Sequence, residues 1–226
     1  PQYYAELSNA YLDYDVEKAN ALLDEAGYAQ RDAEGFRLFK DGSGDTLFFT
    51  IEGIDAAGSP GEDHAQMLVK YFGEVGVKCT YKYVERSLYT EHYGANAIEA
   101  AWVIWNNRTL LPIVTPNIFI GTAIDHPWAD GYGLWRTDPT NPSGVKPPDG
   151  HWIYRIWDAY DRLVMEPDGA TRDEIFRELL DVWKEELPQV GYLGQFPTLI
   201  VVKNGLHNYA SGYPTDDIVK DEHLLN

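Results

Sequence analysis

Cysteine is almost missing from this chain of 226 residues, with Cys79 the only one. No internal disulfide can form and no thiolate metal cluster can be built; the alternation around Cys79 places it in a strand. Basic residues are scarce as well, 18 against 36 acids, which leaves a formal net charge of -18. Surfaces that hold phosphate backbones or anionic lipid need clustered Lys and Arg, so nucleic acid is not expected as a partner. The acidity itself reads as solubility. No apolar run is long enough to span a membrane, and 44% hydrophobic against 24% charged residues sets the chain apart from disordered sequences. It also lacks an initiator Met and a basic stretch leading into an apolar one, so Pro1-Gln2-Tyr3-Tyr4 reads as the start of a fragment.

Catalytic signatures are absent too. His64, His92, His126, His151, His207 and His223 include no His-Glu-x-x-His pair and no two within one helical turn. There is no Gly-x-Ser-x-Gly elbow, and no Gly-rich phosphate loop precedes a helix. Asp41, Ser43, Asp45 and Glu52 match a calcium-loop spacing, but Thr46 stands where the sharp turn needs Gly and a strand follows where a helix should, so a plain turn is expected. A glycosidase is the enzyme reading that acids and aromatics leave standing, although a sequence cannot pair two carboxylates across a cleft. No enzyme, cofactor or metal is expected.

What the chain does contain is an alternation of strands and helices. Asp15 caps a helix with Val16, Ala19, Leu22, Leu23 and Ala26 at the 3.6 period and Gly27 as its stop. Residues 46 to 51 read as a strand, and the Gly/Pro cluster at 58 to 61 as a turn. Ala65, Leu68, Val69 and Phe72 then fall at helical spacing, and Val77, Cys79, Tyr81 and Tyr83 alternate with polar residues as in a second strand. Strand, helix and strand with a short crossover predict parallel pairing and an α/β fold. A short helix over 88 to 93 and a buried strand over 100 to 105 repeat the unit. Residues 106 to 149 form a Pro-, Gly- and Trp-rich stretch with little periodicity, too long for an idle connector. Two antiparallel helices follow, marked by Ile153, Ile156, Trp157, Tyr160, Leu163 and Val164 and by Ile175, Phe176, Leu179, Val182 and Trp183. Thr171 and Glu174 form a capping box for the second, and Pro188 ends it. Strands over 189 to 193 and 199 to 202 close the chain.

The segment from Tyr14-Asp15-Val16-Glu17-Lys18-Ala19 through Leu22-Leu23 to Ala26-Gly27-Tyr28 resembles the family 5 solute-binding proteins of ABC importers, the group with peptide-, oligosaccharide- and nickel-binding members. Val16 replaces that family's usual Pro, a small departure, since Pro is favoured but not required in a first turn. The Gly76-Val77-Lys78 strand, the strand ending at Trp105, the helix running into Leu187-Pro188 and the segment from Val201 to Asn208 are similar in order and spacing. The resemblance implies one α/β lobe of the two-lobed, type II periplasmic-binding architecture. On it, residues 1 to 226 are a C-terminal lobe, and about 189 to 226 return toward the hinge or the N-terminal lobe. It further implies capture of an oligopeptide or oligosaccharide, ABC permease subunits as partners, and a periplasmic or extracellular site, held to the membrane by the importer or a lipid anchor. A ligand-sensing module on the same fold is the alternative outside transport.

Open α/β sheets bind ligands beyond the carboxyl ends of their strands. Trp105 with Asn106, Asn107 and Arg108 stands at such an end, where a flat apolar face and amide donors grip a polar ligand; Trp105 reads equally as core. Arg108 could pair a ligand carboxylate. Trp128 and Trp135, in the long stretch, read as further contacts or as pins of that stretch. Trp102 reads as packing, and Gln195 and Phe196 as hinge or packing.

Overall fold

The computed structural model describes residues 4–102, 117–121, 128–190 and 203–205. In chain order the elements are α1 (Ala5–Ser8), α2 (Val16–Glu25), β1 (Phe48–Gly53), α3 (Pro60–Glu74), β2 (Lys78–Tyr83), α4 (Arg86–Gly94), β3 (Ala100–Trp102), α5 (Asn117–Ile120), α6 (Asp130–Thr137), α7 (Ile153–Met165) and α8 (Gly169–Glu186). They fall into two compact units. One holds the described residues within Tyr11–Val103 and Asp138–Gly144, the other those within Pro1–Ala10, Ile104–Thr137 and Val145–Asn226.

The first unit is built on a parallel sheet of order β2-β1-β3, in which Phe48 pairs with Lys78 and Ile51 with Ala100. The expected parallel crossovers are therefore present. The first strand begins two residues later than expected and the third is described only as far as Trp102. One sheet face is closed by α3, where Ala65 is fully buried and Ile51, Cys79 and Trp102 are nearly so, with Phe49, Leu68, Val69 and Tyr81 around them. The cluster at 58 to 61 is not only a turn: α3 starts at Pro60, inside it. Pro suits a first helical position because its missing N–H had no intrahelical partner, and the Ser59 side chain accepts from Glu62 N as the cap.

Asp15 does cap α2, accepting from Lys18 N, and Gly27 takes a φ of 97° just past its end, a conformation that a Cβ would oppose. Yet α2 buries none of its residues, and Leu22 is exposed. What ties it down is Arg37, which is completely enclosed. Its guanidinium donates to Asp24 Oδ1 at 2.6 Å, Asn20 Oδ1 at 2.8 Å and the carbonyls of Tyr28 and Val75 at 2.5 and 2.8 Å. Five N–H donors in a rigid fork are what such a set of acceptors requires.

The second unit is helical. Ile153 and Ile156 are fully enclosed and Leu179 nearly so, each contributing roughly 1.5–3 kcal/mol of apolar burial. Arg155 bonds Glu185 and Arg162 bonds Glu178, so α7 and α8 run antiparallel, as expected. Pro188 does follow the helix end at Leu187, but the start is corrected: α8 begins at Gly169, and Asp168 caps it by accepting from the backbone and hydroxyl of Thr171. Asp168 outcompetes Thr171 because its carboxylate takes both donors at once. The stretch from 106 to 149 is also less irregular than expected, since it contains α5 and α6. Gly131 and Gly133 depress the helical signal of α6, while their lack of side chains lets both be buried.

Candidate functional site

At the carboxyl end of the sheet the backbone is drawn in tightly. A Cβ on Gly53 would meet the Tyr81 ring at 2.9 Å and the Trp102 carbonyl at 3.0 Å, so only glycine lets these strands close up here. The Tyr81 hydroxyl accepts from Asp55 N at 3.1 Å and donates to Asp55 O at 2.8 Å, fixing the loop that leads into α3. On the sheet face away from α3, buried Glu52 accepts from Lys82 Nζ at 2.9 Å and from His92 Nδ1 at 2.8 Å, joining β1, β2 and α4. Burial pushes the Glu52 carboxyl up, but the hydrogen bonds from His92 and Lys82 and the charge of Lys82 outweigh it and hold it below the ordinary value.

The second unit carries an aromatic assembly around α5. The indole N–H groups of Trp157 and Trp183 donate to the carbonyls of Ile120 and Phe119 at 2.7 and 2.8 Å, satisfying backbone acceptors that so short a helix leaves open. Trp128 stacks on Trp152 with centroids 5.7 Å apart and meets Trp183 edge-on at 5.5 Å. It is buried, and Trp135 is half-buried against the same cluster. The structure thus brings Trp128 and Trp135 together on one core. Trp105, Asn106, Asn107 and Arg108 lie outside the described residues, as do Gln195, Phe196 and the expected closing strands. Trp102 packs under α3.

Asp41 and Ser43 accept from Ser43 N and Asp45 N in an ordinary turn, while Glu52 turns to Lys82 and His92. Among the described residues no three His, Cys, Asp or Glu side chains are placed to hold a metal. A groove of about 590 Å³ between α7 and α8 is lined by residues that include the Arg155–Glu185 and Arg162–Glu178 pairs. Sequence reasoning missed the Glu52, Lys82 and His92 cluster, because residues 40 positions apart share no local signal. It also missed Asp130, whose carboxyl burial pushes up to about 7.

Residues 1–124 match the profile of the bacterial extracellular solute-binding proteins, family 5, Middle. The chain belongs to this family. No curated protein matches it. Among solved structures, the oligopeptide-binding protein OppA is similar at 28% identity and a TM-score of 0.68, over 83% of this chain and 30% of that one. A periplasmic oligopeptide-binding protein of Thermotoga maritima with bound mannohexaose is 19% identical with a TM-score of 0.59, over 83% and 33% of the two chains. MelB, a periplasmic binding protein of Agrobacterium fabrum in complex with stachyose, is 14% identical with a TM-score of 0.63, over 79% and 25%. The fold of this family 5 chain is therefore the α/β fold of the type II periplasmic binding proteins. The chain spans at most a third of the length of these three structures. Among the described residues no helix is long and apolar enough to cross a membrane.

Proposed function

We propose that this chain is the C-terminal lobe of a longer solute-binding protein that captures an oligopeptide or oligosaccharide and delivers it to the permease subunits of an ABC importer. The family match over residues 1–124 carries the reading. The ligand is held between two lobes that close on a hinge, with residues from about 189 to 226 returning toward the hinge or the other lobe. Capture takes place outside the cytoplasmic membrane, in the periplasm or at the cell surface, with the importer or a lipid anchor keeping the protein there. The protein converts nothing and needs no cofactor.

Trp105, Asn106, Asn107 and Arg108 supply the principal contacts. They follow β3, which lies beside the central strand of a parallel sheet, and ligands of such sheets sit beyond the carboxyl ends of the strands. Trp128 and Trp135 are the further contacts, the ring of Trp135 being partly exposed. Peptide and oligosaccharide both suit this set, since indole faces stack on sugar rings or fill apolar pockets and amides serve hydroxyls or peptide groups.

Calorimetric titration of the longer protein with oligopeptides and oligosaccharides tests the function, with Trp105→Ala alongside. Saturable binding of one class is expected, with the ligand recovered unchanged. The Trp105→Ala protein should lose about 2 kcal/mol or more of affinity with its melting temperature kept. Conversion of ligand that stops when one carboxylate is removed would establish an enzyme instead. A melting loss equivalent to about 3–5 kcal/mol with affinity unchanged would make Trp105 core and move the contacts to Trp135.

A further inference from the structure

Asp55 stands two residues beyond β1, the central strand of the parallel sheet. It belongs to the carboxyl end of that sheet, where open α/β sheets take up ligands. The Tyr81 hydroxyl clamps its backbone from both sides, donating to Asp55 O at 2.8 Å and accepting from Asp55 N at 3.1 Å. Gly53, which leaves no room for a Cβ against the Tyr81 ring, lets that ring come in. The position of Asp55 is thus fixed from β2 before any ligand arrives.

The Asp55 carboxyl group lies against Gly61, in the first turn of α3, and a Cβ on Gly61 would overlap it. Glycine is a poor helix former, and the φ of Gly61 is not in the left-handed region that would call for it. Its service here is room for the carboxyl group. Asp55 is half-buried, yet among the described residues no donor meets its carboxylate oxygens. The nearby groups are engaged elsewhere. Ser59 caps α3 by accepting from Glu62 N, and Glu62 takes Gly58 N. Lys82 and His92 turn to Glu52 on the other sheet face. A carboxylate held in place, given space by two glycines and left without a structural task, is preorganised for a partner from outside.

We propose that Asp55 is a ligand anchor, whose carboxylate accepts a hydrogen bond from an N–H or O–H group of the captured compound. Hydrogen bonds to an ionised acceptor are short and strong, and the clamp from Tyr81 removes the cost of ordering the loop on binding. The anchor rests on the proposed function, since it adds a contact to the same act of capture.

Native mass spectrometry of the longer protein with mixed oligopeptides, the same peptides N-acetylated, and mixed oligosaccharides identifies a bound compound. Calorimetry then compares its affinity for the parent, Asp55→Ala and Gly61→Ala. Asp55→Ala should weaken binding about tenfold or more, as loss of a charged hydrogen bond does. Gly61→Ala keeps the charge and improves the helix, but its methyl group turns the carboxyl aside. It should bind about tenfold more weakly with its melting temperature kept or raised, which a merely structural role would not produce. Loss on N-acetylation assigns the donor to a peptide's amino end, retention assigns it to another peptide N–H or O–H, and capture from the saccharide mixture assigns it to a hydroxyl. Should Asp55→Ala fail to fold, Gly61→Ala decides alone. Parent affinity in the folded variants would overturn the anchor and leave the function standing, whereas a parent that binds nothing from any mixture would overturn both.

Discussion

Arg37 and Glu52 are the two charged side chains that the first unit buries, and they solve the same problem in different ways. An isolated charge in the interior is costly, so each must find partners in full. Arg37 collects carbonyls and side-chain oxygens from α2 and the turns beside it, and so anchors a helix that buries none of its own residues fully. Glu52 collects two cationic donors across three elements. Because its folded carboxyl lies below the ordinary value, its contribution is complete above the unfolded carboxylate range and is lost as pH falls through the folded value. Glu52→Gln should therefore be less stable than the parent at neutral pH, by about 2 kcal/mol for a charged hydrogen-bonded group. Denaturant titrations across pH should show the gap closing below about pH 4. A gap independent of pH would mean that shape rather than charge holds the cluster.

Among the elements, α3 depends most visibly on its cap. Ser59 is the side chain that accepts from the first turn, and Pro60 already has the backbone angle a helix start needs. Ser59→Ala should cost about 1 kcal/mol and Ser59→Gly only a few tenths, measured as shifts in the urea midpoint. Equal losses for the two would mean that the hydroxyl serves something other than the cap. Helices α2, α7 and α8 and the parallel crossovers were legible in the sequence because their apolar spacing is long and regular. Helix α6 was not, since two glycines hide it, and the true cap of α8 was not, because Thr171 and Glu174 imitate one three residues further on. The proposed site rests on position alone, the chain beyond β3, where Trp105 and Arg108 follow Trp102 and lie outside the described residues. Glu52, Lys82, His92 and Asp130 take their character from neighbours distant in sequence or from burial, which no local pattern records.

At the scale of the whole molecule, the chain covers 30% and 33% of the length of two of its structural relatives. Ligand pockets bury most of their occupant, so on the proposed reading capture needs the other lobe as well. The deciding measurement is native mass spectrometry of the longer protein, as purified and after incubation with mixed oligopeptides and oligosaccharides. The account predicts one intact ligand per protein, a peptide or an oligosaccharide, released unchanged on denaturation. Cleaved products, or no retained ligand from either class, would contradict it.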